Sequence, residues 1–163
     1  MTSRNEYTME QWQALRTAPQ LVAIATAAAG NSGLFGSLGE GMATASAIAE
    51  ALRDEHPLLR EVFTKDDMQA AQDDIRVTIG DVTSQAVLNE HLQGATARTV
   101  TAALAALAAK GAAGEAEAYT TLLKGIAEKV ANASKEGDFL GFGGERVSEP
   151  ERAFLASLHE LLG

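Results

Sequence analysis

Cysteine is absent from the chain. That excludes disulfides, thiolate nucleophiles and the common cysteine-bound structural zinc sites, and it suits a reducing compartment. Positive charge is scarce as well: 13 basic residues stand against 22 acids, for a formal charge of −9. Phosphate binding requires a clustered basic face, and no Lys/Arg cluster is visible, so a nucleic-acid partner is not expected. The same negative charge favours solubility and repels anionic lipid surfaces. No segment alternates with period two, so strands are not expected either. The opening MTSRNEYTMEQW lacks the basic segment and apolar run of a secretory signal, and the expected compartment is the cytoplasm.

Several catalytic signatures are missing too. There is no GxSxG, no HExxH and no GK[ST] after the glycines at 30–41, where Glu40 would repel a phosphate. None of His56, His91 and His159 has a glutamate three residues before it, so the di-iron bundle signature is absent. His91 follows Glu90 and reads as a residue near a helix end, where an imidazolium favours the negative dipole. The expectation is a protein without catalytic residues and without a bound cofactor.

What is present is alanine, with few aromatics to separate the helices it builds. A chain of 163 residues suits one domain, and such a domain buries roughly 70% of the surface its unfolded chain exposes. The reading is all-α: a mobile segment at 1–7, then a single globular bundle over 8–163, with about six to eight helices and two glycine-rich, partly buried loops.

Thr8 and Gln11 have capping-box spacing and open a helix with Trp12, Leu15 and Met9 on one side. The ring of Pro19 would clash with the carbonyl of Leu15, so a break or kink is expected near Ala18. Leu21 to Ala29 is apolar nearly all round, the mark of a helix buried on most sides. GNSGLFGSLGEG at 30–41 reads as a loop, followed by a helix from Met42 to Arg53 that DEHP ends at Pro57. Leu58 to Phe63 makes a short turn of helix. Thr64 caps the longest segment, with Asp67 at the third helical position, and the spacing predicts helix through Ile75, Ile79, Val82 and Ala86 up to Gly94. Val100, Leu104, Leu107 and Gly111 form a narrow apolar seam on the next helix, and GAAG at 111–114 is a turn. Glu115 to Lys135 buries Tyr119, Leu122, Leu123, Ile126 and Val130, and the last helix carries Phe154, Leu158 and Leu161.

The stretch GDFLGFGGERVSEPE at 137–151 joins the last two helices. Ser148 and Glu151 have capping-box spacing, and Pro150 falls in the first turn, where a missing amide hydrogen costs nothing. Phe139, Leu140 and Phe142 are expected to fold back under this loop as a structural plug of the bundle end, and Leu34 and Phe35 to do the same in the first loop. Counted as an EF-hand from Asp138, Gly143 is sixth and Glu149 twelfth, but Leu140 and Phe142 stand where oxygen ligands belong. The count therefore favours the plug.

The residues KEGDFLGFGGERVSEPERAFL at 135–155 resemble the ending of a group of small uncharacterised bacterial proteins that finish with GFLGFGG…VS..E. More distantly, GGERVSEPERAFL resembles the helix–turn–helix of tellurite-resistance TerB-like domains, in which an aspartate–glycine pair precedes a glutamate of the next helix. That family is all-helical and its acidic residues are implicated in binding metal ions. The resemblance implies a stress-related accessory protein, with Asp138, Glu145 and Glu151 as ligands of a divalent cation; Gly143 or Gly144 stands where the family's aspartate is expected.

Two further patterns admit alternatives. Asp67, Asp74 and Asp81 repeat every seven residues, with Asp66 and Asp73 beside them. They read as a solvated face opposite Ile75, Ile79 and Val82, or as carboxylates that collect divalent cations. Residues 17–39 carry no charge, and the region 17–49 is broken only by Glu40; GLFGSLG resembles the glycine–phenylalanine pattern of membrane-fusing peptides. Reversible membrane insertion is the alternative there to a buried helix and a glycine loop. The leading expectation for function is contact with a protein partner, or a homodimer along the alanine seam at 97–108.

Overall fold

The computed structural model describes residues 3–30, 56–82, 84–136 and 149–163. Among these residues the chain is all-α, an arrangement of six helices with no strand. The first, α1 (Met9–Ala29), begins with the capping box that the sequence predicts. The Thr8 hydroxyl accepts the Gln11 amide at 3.2 Å, and the Gln11 side chain accepts the Thr8 amide at 3.0 Å. Trp12 and Leu15 turn inward, whereas Met9 is 88% exposed at the helix start and does not join them.

Pro19 does not end α1. The helix runs on through it to Ala29, and the proline ring is itself buried. A proline inside a helix leaves the carbonyl four residues earlier without its amide donor. Here that carbonyl, on Leu15, accepts the Tyr119 hydroxyl at 2.7 Å. The expected break near Ala18 is therefore replaced by a side-chain donor from a distant helix.

Beyond Pro19, α1 is apolar on nearly all sides, and Leu21, Val22, Ala25 and Ala28 lose almost all their exposure. Pro57 then fills the first turn of the short α2 (Pro57–Val62). Thr64 caps α3 (Lys65–Ile79), accepting the Asp67 amide at 3.2 Å. α4 (Gln85–Ala109), α5 (Ala113–Glu136) and α6 (Glu149–Leu162) complete the set. α1 lies at the centre, with α3, α4, α5 and α6 packed around it.

The sequence-predicted run from Thr64 to Gly94 is in fact two helices. α3 stops at Ile79, because Gly80 takes φ 58° and ψ −157°, a backbone region essentially reserved for glycine. Val82 and the exposed Asp81 fall in the interval before α4, and α4 then passes straight through Gly94. A glycine inside a helix costs about 1 kcal/mol relative to alanine but does not by itself end the helix. The predicted turn is shorter than GAAG: Gly111 turns at φ 64°, but α5 already begins at Ala113, so Ala113 and Gly114 are helical. Tyr119, Leu122, Leu123, Ile126 and Val130 of α5, and Phe154 and Leu158 of α6, are buried as the spacing predicts; Leu161 is only partly covered and Leu162 is buried in addition.

Residues 3–7 lie against the bundle. The Arg4 amide donates to Glu61 Oε2 at 2.7 Å, and Tyr7 is buried with its ring 6.0 Å from that of Trp12. The expected helix at 42–53 and the glycine-dense loops, with the plug residues Leu34, Phe35, Phe139, Leu140 and Phe142, lie outside the described residues.

Candidate functional site

Among the charges around α1, the most enclosed is Asp67, which is 2% exposed in the first turn of α3. Trp12 Nε1 donates to Asp67 Oδ1 at 2.9 Å, and the Thr64 hydroxyl donates to Oδ2 at 2.8 Å. Arg4 stands 3.4 Å from Oδ2 and Arg16 stands 3.6 Å from Oδ1. Burial pushes the carboxyl's pKa up, but the two hydrogen bonds and the two guanidinium charges outweigh it, and the pKa ends below its ordinary value. The Arg4 guanidinium also lies over the Trp12 ring, 5.7 Å from its centroid.

One turn further along α1, Arg16 reaches Asp74 at 2.9 Å, and the Thr17 hydroxyl donates to the same oxygen at 3.3 Å. These contacts correct the reading of a solvated face at Asp67 and Asp74, while Asp66, Asp73 and Asp81 are exposed as that reading has it. The stripe at 67 and 74 coincides with the stripe at 71 and 75, where Ala71 and Ile75 are buried, so the acids face α1. Arg16 and Trp12 make that burial tolerable. For the alternative cation reading, Asp67 and Asp74 are already held by protein donors, and Asp81 lies beyond the end of α3. The exposed Asp66 and Asp73 belong to no group of three placed to hold a metal among the described residues.

Beside this network lies an open groove of about 270 Å³, floored by α1 and walled by α3 and α4. Small and polar side chains line it: Ala14, Thr17, Thr78, Thr99 and Ala102 among them, with Glu10, Asp74 and Arg98 as its charges. The Arg16–Asp74 pair neutralises one of those charges, while among the described residues no ion pair involves Glu10 or Arg98.

The predicted metal ligands are not brought together among the described residues. Asp138 and Glu145 lie outside them, and Glu151 is 3% exposed in the first turn of α6 beside Gly30. No group of three His, Asp or Glu side chains placed to hold a metal occurs among the described residues. The three histidines are dispersed. His56 precedes α2, His159 lies in the last turn of α6, and His91 is exposed in the second turn of α4, near its N-terminus and not near the helix end expected for it.

The alanine seam divides between two faces. Val100, Ala103 and Leu107 are buried in the fold, and Ala97, Thr101, Ala105 and Ala108 are exposed. Among the described residues no helix is long and apolar enough to cross a membrane, and residues 31–49 lie outside that statement.

Sequence reasoning missed the Asp67 network and the groove. The signal for the network was available: Arg16 is the one charge between Glu10 and Glu40, and Trp12 lies four residues before it on the same helical face. No family model matches the chain, no curated protein matches it, and no solved structure matches it.

Proposed function

We propose that the protein acts without catalysis, as a cytoplasmic helical module that contacts another protein, in a stress-related accessory role of the kind its C-terminal resemblance implies. The groove between α1, α3 and α4 is the contact surface on this reading. The observation that carries it is the groove's make-up: an open trough of about 270 Å³ lined by short side chains and by charges with room to engage a partner. Its walls are stiffened from behind, since Arg16 and Thr17 tie α1 to Asp74 of α3, and the Thr96 hydroxyl of α4 lies 3.4 Å from the Leu21 carbonyl. Pre-ordered walls lose little freedom on binding, which favours recognition of a peptide segment.

A photo-crosslinking residue at Thr99, inside the groove, tests this against one at the exposed Gln72 of α3. In cells that naturally carry the protein, the reading expects one stoichiometric protein partner from position 99 and none from position 72. Equal capture from both positions, or capture of lipid alone, sinks it.

A further inference from the structure

Two hydrogen bonds fix how α4 lies along α1. Asn89 Nδ2 donates to the Ala28 carbonyl at 3.3 Å, and the Thr96 hydroxyl lies 3.4 Å from the Leu21 carbonyl. Each step is seven residues, upward on α4 and downward on α1, so the helices are antiparallel in a single register. Extended through the groove, that register sets Arg98 level with Pro19 and leaves Glu10 farther along α1. At about 1.5 Å rise per residue the two backbone positions are separated by about 13 Å. Side chains on a helix lean toward their own N-terminus, so on antiparallel helices these two lean apart. Arg98 does so: a Cβ built on Gly94, one turn earlier, would come within 3.2 Å of its guanidinium.

The groove is therefore dipolar, basic at the Arg98 end and acidic at the Glu10 end, with Ala14, Thr17 and Ala102 between them. From this juxtaposition we infer that it takes an extended peptide segment of a partner protein, with a carboxylate side chain at one position and a basic side chain four residues away. An extended chain advances about 3.3 Å per residue, so four residues match the separation of about 13 Å between the two backbone positions, and the peptide's own charged side chains splay outward to meet groove charges that lean apart. Residues i, i+2 and i+4 of a strand also share one face, so both charges and one small central side chain meet the groove together. A second copy of this chain related by a two-fold axis through the groove is a poor occupant, because that axis sets concave groove against concave groove. The inference rests on the groove being the contact surface, and adds what it selects.

The probe is the acetylated, amidated pentapeptide Lys-Ala-Thr-Ala-Asp, titrated by NMR into the full chain at low salt beside the analogues with Lys at both ends and with Asp at both ends. The mixed peptide is expected to bind at least tenfold more tightly than either analogue. Arg98→Glu should transfer the preference to the double-Lys peptide and Glu10→Lys to the double-Asp peptide, with circular dichroism confirming that both variants keep their helices. Equal affinity for all three peptides, or a preference that survives both reversals, overturns the inference. Ala102→Trp separates the two levels. If it removes the Thr99 crosslink while peptide binding in the parent protein is unselective, the charge pattern falls and the contact surface stands; an unchanged crosslink overturns both.

Discussion

The Tyr119 hydroxyl donates to the Leu15 carbonyl, 104 positions away in sequence, at 2.7 Å. That carbonyl is the acceptor deprived of its helical donor by Pro19, so one side chain on α5 repairs a defect in α1. Removing the hydroxyl with Tyr119→Phe leaves a buried carbonyl short of a donor and should cost about 1–3 kcal/mol. Pro19→Ala supplies the missing amide, so the cost of Tyr119→Phe should shrink by about 1 kcal/mol in that background. Urea denaturation of the four proteins of this double-mutant cycle reads the coupling. Additive costs would show that the two groups do not act on the same carbonyl.

Asp67 ties three segments together: the chain before α1 through Arg4, α1 through Trp12 and Arg16, and the start of α3 through Thr64. Asp67→Ala should cost about 3 kcal/mol, because it leaves the buried indole N–H of Trp12 and a nearby guanidinium unanswered. Asp67→Asn keeps an acceptor for Trp12 but loses the charge, and should cost less. Intrinsic fluorescence of Trp12, the chain's single tryptophan, reports both the transition and any change in the indole's surroundings.

The same carboxylate sets an acid limit. Its native pKa lies below the ordinary value of 3.8, so on acidification the unfolded chain takes up the proton before the folded one does. The stability that Asp67 contributes should be whole above pH 3.8 and should fade as the pH drops through the lower native value. Below that point the parent and Asp67→Asn should converge, and a constant gap between them at all pH values would contradict this account.

Tyr119 sets an alkaline limit, since burial pushes its phenol well above the ordinary value of 10.0. The unfolded chain ionises first there, so stability should decline as the pH rises beyond 10.0, and Tyr119→Phe should flatten that decline. Thermal melts from neutral to alkaline pH measure it.

Gly80, just past the end of α3, and Gly94, inside α4, should respond oppositely to alanine. Gly80 adopts φ 58° with nothing crowding a Cβ, so Gly80→Ala meets backbone strain alone and should cost about 1–3 kcal/mol. Gly94 lies in regular helix, where its Cβ would meet only the movable end of Arg98. Gly94→Ala should be neutral or stabilising by up to about 1 kcal/mol. Melting temperatures of the two single variants decide it.

These glycines also mark the limit of what the sequence discloses. Helices announced themselves where local chemistry decides: Thr8 with Gln11, Thr64 before Asp67, the turn at Gly111, and the spacing of Tyr119, Leu122, Leu123 and Ile126. Gly80 and Gly94 look alike in sequence, and only the backbone angle each must adopt separates them. Pro19 misled for a related reason, because its missing donor comes from Tyr119 on α5. For the inward aspartates the sequence held half of the signal, the lone Arg16 with Trp12 one turn before it, but only the packing of α3 on α1 shows that they stand opposite Asp67 and Asp74. The groove was hidden outright, since Arg98 and Glu10 become its two ends only once α4 is laid along α1.

The central position of α1 sets a schedule for synthesis. Its neighbours Asp74, Thr96 and Tyr119 all come later in the chain, Tyr119 by 104 positions. At about 5–20 residues per second, Leu15 waits roughly 5–20 s before its distant hydroxyl is even polymerised. For that interval an oily helix stands without the last of the companions that enclose it. The newborn chain therefore keeps apolar surface of α1 uncovered until α4 and α5 have been made.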